Sequence, residues 1–187
     1  HTPQSLRNLA NIMASHEGLI LEALKVHESR INRFCRTIEP RFVEAVNKKK
    51  PTTMAQLANI WYTTNGADSG RSQHYNSSRY HVTNYHSVFT HGTIEFRCYE
   101  FERPTADRKN GLHAGRLKTF IQLSLALSEM AKTVKTASPK PQQHDNPKFA
   151  MRTWLIRMGM VGEEFATART ILTKNLTGDN AFRYGRP

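Results

Sequence analysis

The sequence has little acid, little cysteine and no long apolar run, and each shortage removes a class of protein. Of its 187 residues only 15 are Asp or Glu against 27 Lys or Arg, giving a formal charge of +12. Such a surface attracts polyanions: nucleic acid, nucleotides or acidic peptides. No Asp or Glu occurs between Asp68 and Glu95, which argues against a metal nuclease, since its centre needs several acids close together. Cys35 and Cys98 stand far apart with no C-x-x-C pair, so neither a zinc ribbon nor a dense disulfide framework is on offer. They read as reduced thiols in a cytoplasmic protein. The longest apolar stretch, FIQLSLALSEMA, is interrupted by Gln122, Ser124 and Ser128 and is too short and too polar for a membrane span. The first residues carry no basic-then-apolar signal pattern, so a soluble protein with no membrane partner is expected.

What is present reads mostly as helix. Thr2 and Pro3 form a helix start, a capping hydroxyl followed by a residue pre-set for the first turn. Leu6, Leu9, Ala10 and Met13, then Ile20, Leu21 and Leu24, recur at helical spacing on either side of Gly18, as one long helix or two in series. From Glu28 to Lys50 the periodicity blurs and ends in the solvated run NKKKP. Thr52 or Thr53 caps a following helix with Leu57, Ile60 and Trp61 inward. Residues 64–78 have the Gly, Asn and Ser density of a loop. Asp107 to Lys132 reads as a helix with Leu117, Phe120, Ile121, Leu125 and Leu127 on its apolar face. TASPKPQQHDNP, residues 136–147, is a Pro-rich linker, and two short helices around the glycines of GMVG follow it. The organisation expected is a main α+β domain over 1–135, the linker, and a helical hairpin with a tail over 148–187.

Between loop and long helix lie RYHVTNYHSVF, then Thr90-His91-Gly92, then TIEFRCYEF. Two β-favouring runs joined by three residues ending in Gly predict a hairpin, with strands near 79–89 and 93–101. Pairing Phe89 with Thr93 would put Thr83, Tyr85, Ser87, Glu95, Arg97 and Tyr99 on one face and Val82, Val88, Ile94, Phe96 and Cys98 on the other. A bulge beside Gly92 would bring Asn84 and His86 across instead. Glu95 and Arg97 share a face in either register, with Cα atoms roughly 6.5 Å apart. A carboxylate can hold Mg²⁺ beside phosphate oxygens, and a guanidinium can grip a phosphate through two parallel hydrogen bonds. The same spacing also suits an ordinary solvent-facing ion pair of little energetic worth.

GTIEFR resembles the motif of the amidoligase family, distant relatives of glutamine synthetase and the glutamate–cysteine ligases. HTPQSLRNLANIMASHEGLILEAL, RYHVTNYH and WLIRMGMVGEEFATARTILTKNLTGDNAFRYG resemble the same family in the same order. The resemblance implies a curved antiparallel sheet with a central hairpin, about 79–101, and helices packed on its outer side. It also implies an ATP-dependent ligase joining a carboxylate to an amine, on small molecules or on a peptide or protein. By the same resemblance Glu95 would be a metal ligand for Mg²⁺ and Arg97 would bind phosphate or the acyl phosphate, these two being the catalytic pair. Arg79 and Asn84 would bind the nucleotide or the substrate carboxylate. The family's strand with two alternating glutamates and its His-x-His stretch would lie before Thr2, so a partial metal cage is expected from these residues alone.

Other constellations are weaker. His81, His86 and His91 are five apart and alternate faces in an extended chain, so they do not converge on one ion; His74 and His113 are isolated, and there is no H-E-x-x-H. Cys98 falls on the apolar side of its strand and reads as core, and Cys35, with Arg33 and Arg36 nearby, reads as structural. The alternative function is a basic nucleic-acid-binding protein without catalysis, supported by the net charge and by Arg and Tyr interleaved through 71–85.

Overall fold

A computed structural model describes residues 1–101, 113–141 and 144–184. In chain order the elements are α1 (Pro3–Leu24), α2 (Glu28–Arg33), α3 (Pro40–Lys49), α4 (Met54–Thr64), β1 (Thr83–Asn84), α5 (His86–His91), β2 (Glu95–Phe96), α6 (Ala114–Thr133), α7 (Pro147–Arg157) and α8 (Ala166–Thr173), with 3-10 turns at Ser77–Arg79 and Glu163–Phe165. Helix dominates, and a two-stranded antiparallel sheet makes the class α+β. The chain divides into two compact units. One comprises His1–Gly18, His27–Cys98 and Ala131–Pro141, the other Leu19–Val26, Tyr99–Met130 and Gln142–Pro187.

In the first unit α1 starts where Thr2 Oγ1 accepts from the Ser5 N–H, while Ser5 Oγ accepts in return from the Thr2 N–H. The helix runs unbroken past Gly18, burying Leu6, Leu9, Ala10 and Met13. Thr53 caps α4 in a reciprocal box with Gln56, which satisfies donors that a helix start otherwise leaves orphaned. The blurred stretch hides a helix, α3. Glu39 caps it, Pro40 occupies its first turn, and Phe42, Val43 and Val46 are buried. Phe42, Trp61 and Tyr85 form the centre: Trp61 stacks on Tyr85 at 4.9 Å, and Phe42 meets both edge-on at 4.8 and 5.2 Å. Such pairs add about 0.5–1.5 kcal/mol each beyond their buried area. The Tyr85 hydroxyl donates to Leu6 O at 2.8 Å, so the ring's polar tip is satisfied as well.

The expected hairpin is replaced by something else. Strands β1 and β2 are two residues each, in the register Thr83 opposite Phe96 and Asn84 opposite Glu95, and α5 occupies the place of the three-residue turn. The pairing continues one step as Arg97 N–H donates to Val82 O, and Arg36 bridges His81 in parallel on the other side. Gly92 explains the misreading. At φ 74° it accepts the left-handed conformation that ends a helix, and its N–H donates to Ser87 O and Val88 O. Glycine at that position is as common after a helix as in a turn. Burial decided between them, because one helical turn sinks Tyr85, His86 and Val88 together, overriding the β propensity of Val88 and Phe89.

In the second unit Tyr99 stacks on Phe120 of α6 at 4.5 Å and its hydroxyl lies 2.8 Å from Ser124 Oγ. The inward face of α6 is Phe120, Leu123 and Leu127; Leu117, Ile121 and Leu125, expected on that face, are exposed instead. The packing chose a narrower stripe, one step around the helix from the broader face drawn from the sequence. The expected beginning of this helix, from Asp107, lies outside the described residues. Asn146 caps α7 through the Phe149 N–H. Gly159 and Gly162, both at positive φ, make the connection toward α8, and Met151, Leu155, Met160 and Leu172 are buried. Among the described residues no helix is long and apolar enough to cross a membrane.

Candidate active site

The site lies in the first unit, where β1 runs into α5 and β2 returns beside it. Asn84 is fully buried and its amide is used at both ends. Oδ1 accepts from the Ser87 N–H at 3.3 Å in the first turn of α5, and Nδ2 donates to Glu95 Oε2 at 2.6 Å. These partners fix which end is nitrogen, since one neighbour can only donate and the other is a carboxylate. Opposite, Arg97 Nη1 donates to Glu95 Oε1 at 2.7 Å, and Arg97 Nε donates to Phe34 O at 3.1 Å. The two side chains thus project together, as period two requires. The Arg97 side chain is 17% exposed and that of Glu95 40%, so the carboxylate is the wetter partner. The remaining donors of the Arg97 fork are not engaged by any described residue.

Beside this chain of bonds is a pocket of about 220 Å³ lined in part by Arg79, Asn84, Glu95, His74, His86 and His91. Arg79 reaches it from the 3-10 turn, with Nη1 donating to His74 O at 2.9 Å; its Nε is buried with no hydrogen-bond partner among the described residues. An orphaned buried guanidinium donor is costly unless an acceptor arrives. Of the four residues singled out from the sequence, Arg79, Asn84 and Glu95 line the pocket, and Arg97 adjoins it through its bond to Glu95.

The histidines are what sequence reading missed. Helix α5 brings His86 and His91 to the same pocket, where the extended chain would have sent them to opposite faces, and His74 joins from the loop, its ring centroid 6.3 Å from that of His91. The signal was the helical spacing of Tyr85, Val88 and Phe89 inside a β-looking run. His86 Nε2 donates to Gln73 O at 2.9 Å, Nδ1 lies 2.7 Å from the Tyr62 hydroxyl, and burial, with the charges of Arg79, His91 and His74, holds its pKa below the ordinary imidazole value. His81 does not line the pocket; it packs edge-on against Trp61 with Nδ1 on Ser78 O. Cys98 and Cys35 are buried and unbridged, and burial pushes the Cys98 thiol far up, away from reactivity.

Among the described residues no three of His, Cys, Asp and Glu are placed to hold a metal ion. A resident ion caged by protein alone does not fit this donor set. An ion carried on a nucleotide does, because Mg²⁺ in that role takes one or two carboxylates beside phosphate oxygens, and each Glu95 oxygen keeps a lone pair beyond its single hydrogen bond.

Residues 1–128 match the family model described as "Putative amidoligase enzyme". The match covers more than half of the chain, and the protein belongs to that family, one of ligase-type enzymes. Neither the curated proteins nor the solved structures gave a match.

Proposed function

We propose that the protein is an ATP-dependent carboxylate–amine ligase working through an acyl phosphate, and that the Asn84–Glu95–Arg97 chain with Arg79 is its phosphate-handling side. An unactivated carboxylate resists attack by an amine. In the proposed sequence a carboxylate oxygen of the acyl donor attacks the γ-phosphorus of ATP and the bond to ADP breaks. The amine then attacks the acyl carbon, phosphate leaves, and the nitrogen loses a proton. Charge that spreads over the phosphoryl oxygens is stabilised by cations held still beforehand. Arg97 is such a cation, fixed by Glu95 and Phe34 O, and Arg79 presents a buried donor that lacks an acceptor. Asn84 positions Glu95, and Glu95 would hold Mg²⁺ borne by the nucleotide. That ion, when bound, would neutralise phosphate charge. The same reading takes the short β1–β2 pairing as part of a curved, glutamine synthetase-like sheet.

The observation that carries this is the meeting of Glu95 and Arg79 in one pocket lining, with Arg97 bonded to Glu95 and the Arg79 Nε buried and unmet among the described residues. Calorimetric titration with Mg²⁺ and ATP tests it. Glu95→Ala and Arg97→Ala should each weaken binding about tenfold or more, the range for losing a charge-assisted hydrogen bond. Unchanged affinity in both variants would contradict the reading.

A further inference from the structure

Beside the pocket the first unit presents aromatic rings and arginines in alternation. The Arg33 guanidinium lies over the Phe34 ring at 5.3 Å, Phe34 meets Tyr80 edge-on at 6.4 Å, and Tyr80 has both Arg97 and Arg79 over it at 5.4 and 5.9 Å. Arg79 also lies over Tyr75 at 5.4 Å. Phe34 is 41% exposed and Tyr75 75% exposed, so these rings face water, while Arg79 and Arg97 beside them are held by hydrogen bonds. Arg36 bonds Tyr80 O and Ser77 O, Arg79 bonds His74 O, and Arg97 bonds Phe34 O.

We infer that this surface is a stacking platform for single-stranded nucleic acid. An aromatic ring held by a cation on one side leaves its other side for an unpaired base, and fixed guanidinium groups between rings match a phosphate backbone. Paired bases within a duplex hide the faces that such exposed rings need, so an unpaired strand is the form that fits. The chain's charge of +12 supplies the long-range attraction. Surface charge alone would have left the location open; the exposed rings among the arginines set it. Arg79 and Arg97 are shared with the ligase reading, but the rings of Phe34 and Tyr75 have no part in it, so variants at those rings test this inference separately.

Fluorescence anisotropy with a labelled homopyrimidine strand of about 12 nucleotides, in about 0.15 M salt, decides the matter. The strand should bind at least tenfold tighter than a duplex of the same sequence, and affinity should fall as salt rises. Phe34→Ala and Tyr75→Ala should each weaken the strand about fivefold or more, while Tyr75→Phe should keep wild-type affinity. Both positions are exposed, so the variants should fold, and unchanged circular dichroism would show it. Equal affinity for strand and duplex, wild-type affinity in both alanine variants, or competition by polyglutamate as effective as by the unlabelled strand would each overturn the inference in favour of charge alone.

Discussion

Two glutamates of the first unit occupy opposite situations. Glu95, at the pocket edge, is part exposed and has a partner on each oxygen, Asn84 and Arg97. Glu17, in the middle of α1, is buried; its Oε2 accepts one hydrogen bond, from the Ile38 N–H at 2.8 Å, and its Oε1 is buried with no partner among the described residues. Burial pushes the Glu17 carboxyl up to about 8 from an ordinary 4.5, against the opposing effect of the Ile38 bond. The same side chain is therefore a hydrogen-bonded, part-exposed group at the pocket edge in one place and a buried, proton-holding group in the other. Among the described residues Glu17 has neither a cation nor a side-chain amide within hydrogen-bond distance, and desolvation without such partners drives a buried carboxyl to neutrality.

The largest effect that would break this comparison is at Glu17. Its folded pKa lies above the unfolded value, so its stabilising contribution is complete below pH 4.5, declines as pH rises toward 8, and is lost above it. Glu17→Gln should leave urea unfolding nearly unchanged at pH 4 and raise stability at pH 9 by on the order of 4 kcal/mol. Equal pH dependence in variant and wild type would place Glu17 among ordinary carboxylates. Next is Asn84→Ala, which strips a donor from Glu95 and leaves the Ser87 N–H without its acceptor. A loss of about 1–3 kcal/mol in unfolding free energy is expected, together with weaker nucleotide binding. Gly92→Ala should cost about 1 kcal/mol by forcing a Cβ into positive φ at the end of α5. An unaffected melting temperature there would mean that α5 ends differently. Smallest in stability is Glu95→Gln. The pair is part exposed and worth less than about 1 kcal/mol, so thermal unfolding should barely move while affinity for Mg²⁺ and ATP drops.

Local chemistry made much of this legible in advance. Thr52 or Thr53 as the cap of α4, Thr2 with Pro3, and the glycines between α7 and α8 are short-range signals, and the structure takes Thr53 as the cap and places the others where they were read. The shared side of Glu95 and Arg97 was legible because period two does not depend on register. Four features needed tertiary information. Gly92 suits a turn and a helix end alike, so only the burial of Tyr85, His86 and Val88 told α5 from a hairpin, and with α5 came the meeting of His74, His86 and His91. The start of α3 was marked by Glu39 and Pro40, but its buried Phe42, Val43 and Val46 alternate with charged and amide residues that blurred the period. The exposure of Leu117, Ile121 and Leu125 depended on which stripe of α6 packed against Tyr99, and nothing within the helix ranks one apolar stripe over its neighbour. Glu17 sits among apolar neighbours at helical spacing, a position where a buried acid leaves no sequence signature beyond itself.

The central claim is that fixed cations beside Glu95 take the charged end of a nucleotide, and affinity as a function of phosphate number tests it most directly. Titration of AMP, ADP and ATP in the presence of Mg²⁺ should show affinity rising with each phosphate, ATP binding at least tenfold tighter than AMP, and that gap closing in Arg97→Ala. Equal affinities for the three nucleotides, or a gap that survives Arg97→Ala undiminished, would contradict it.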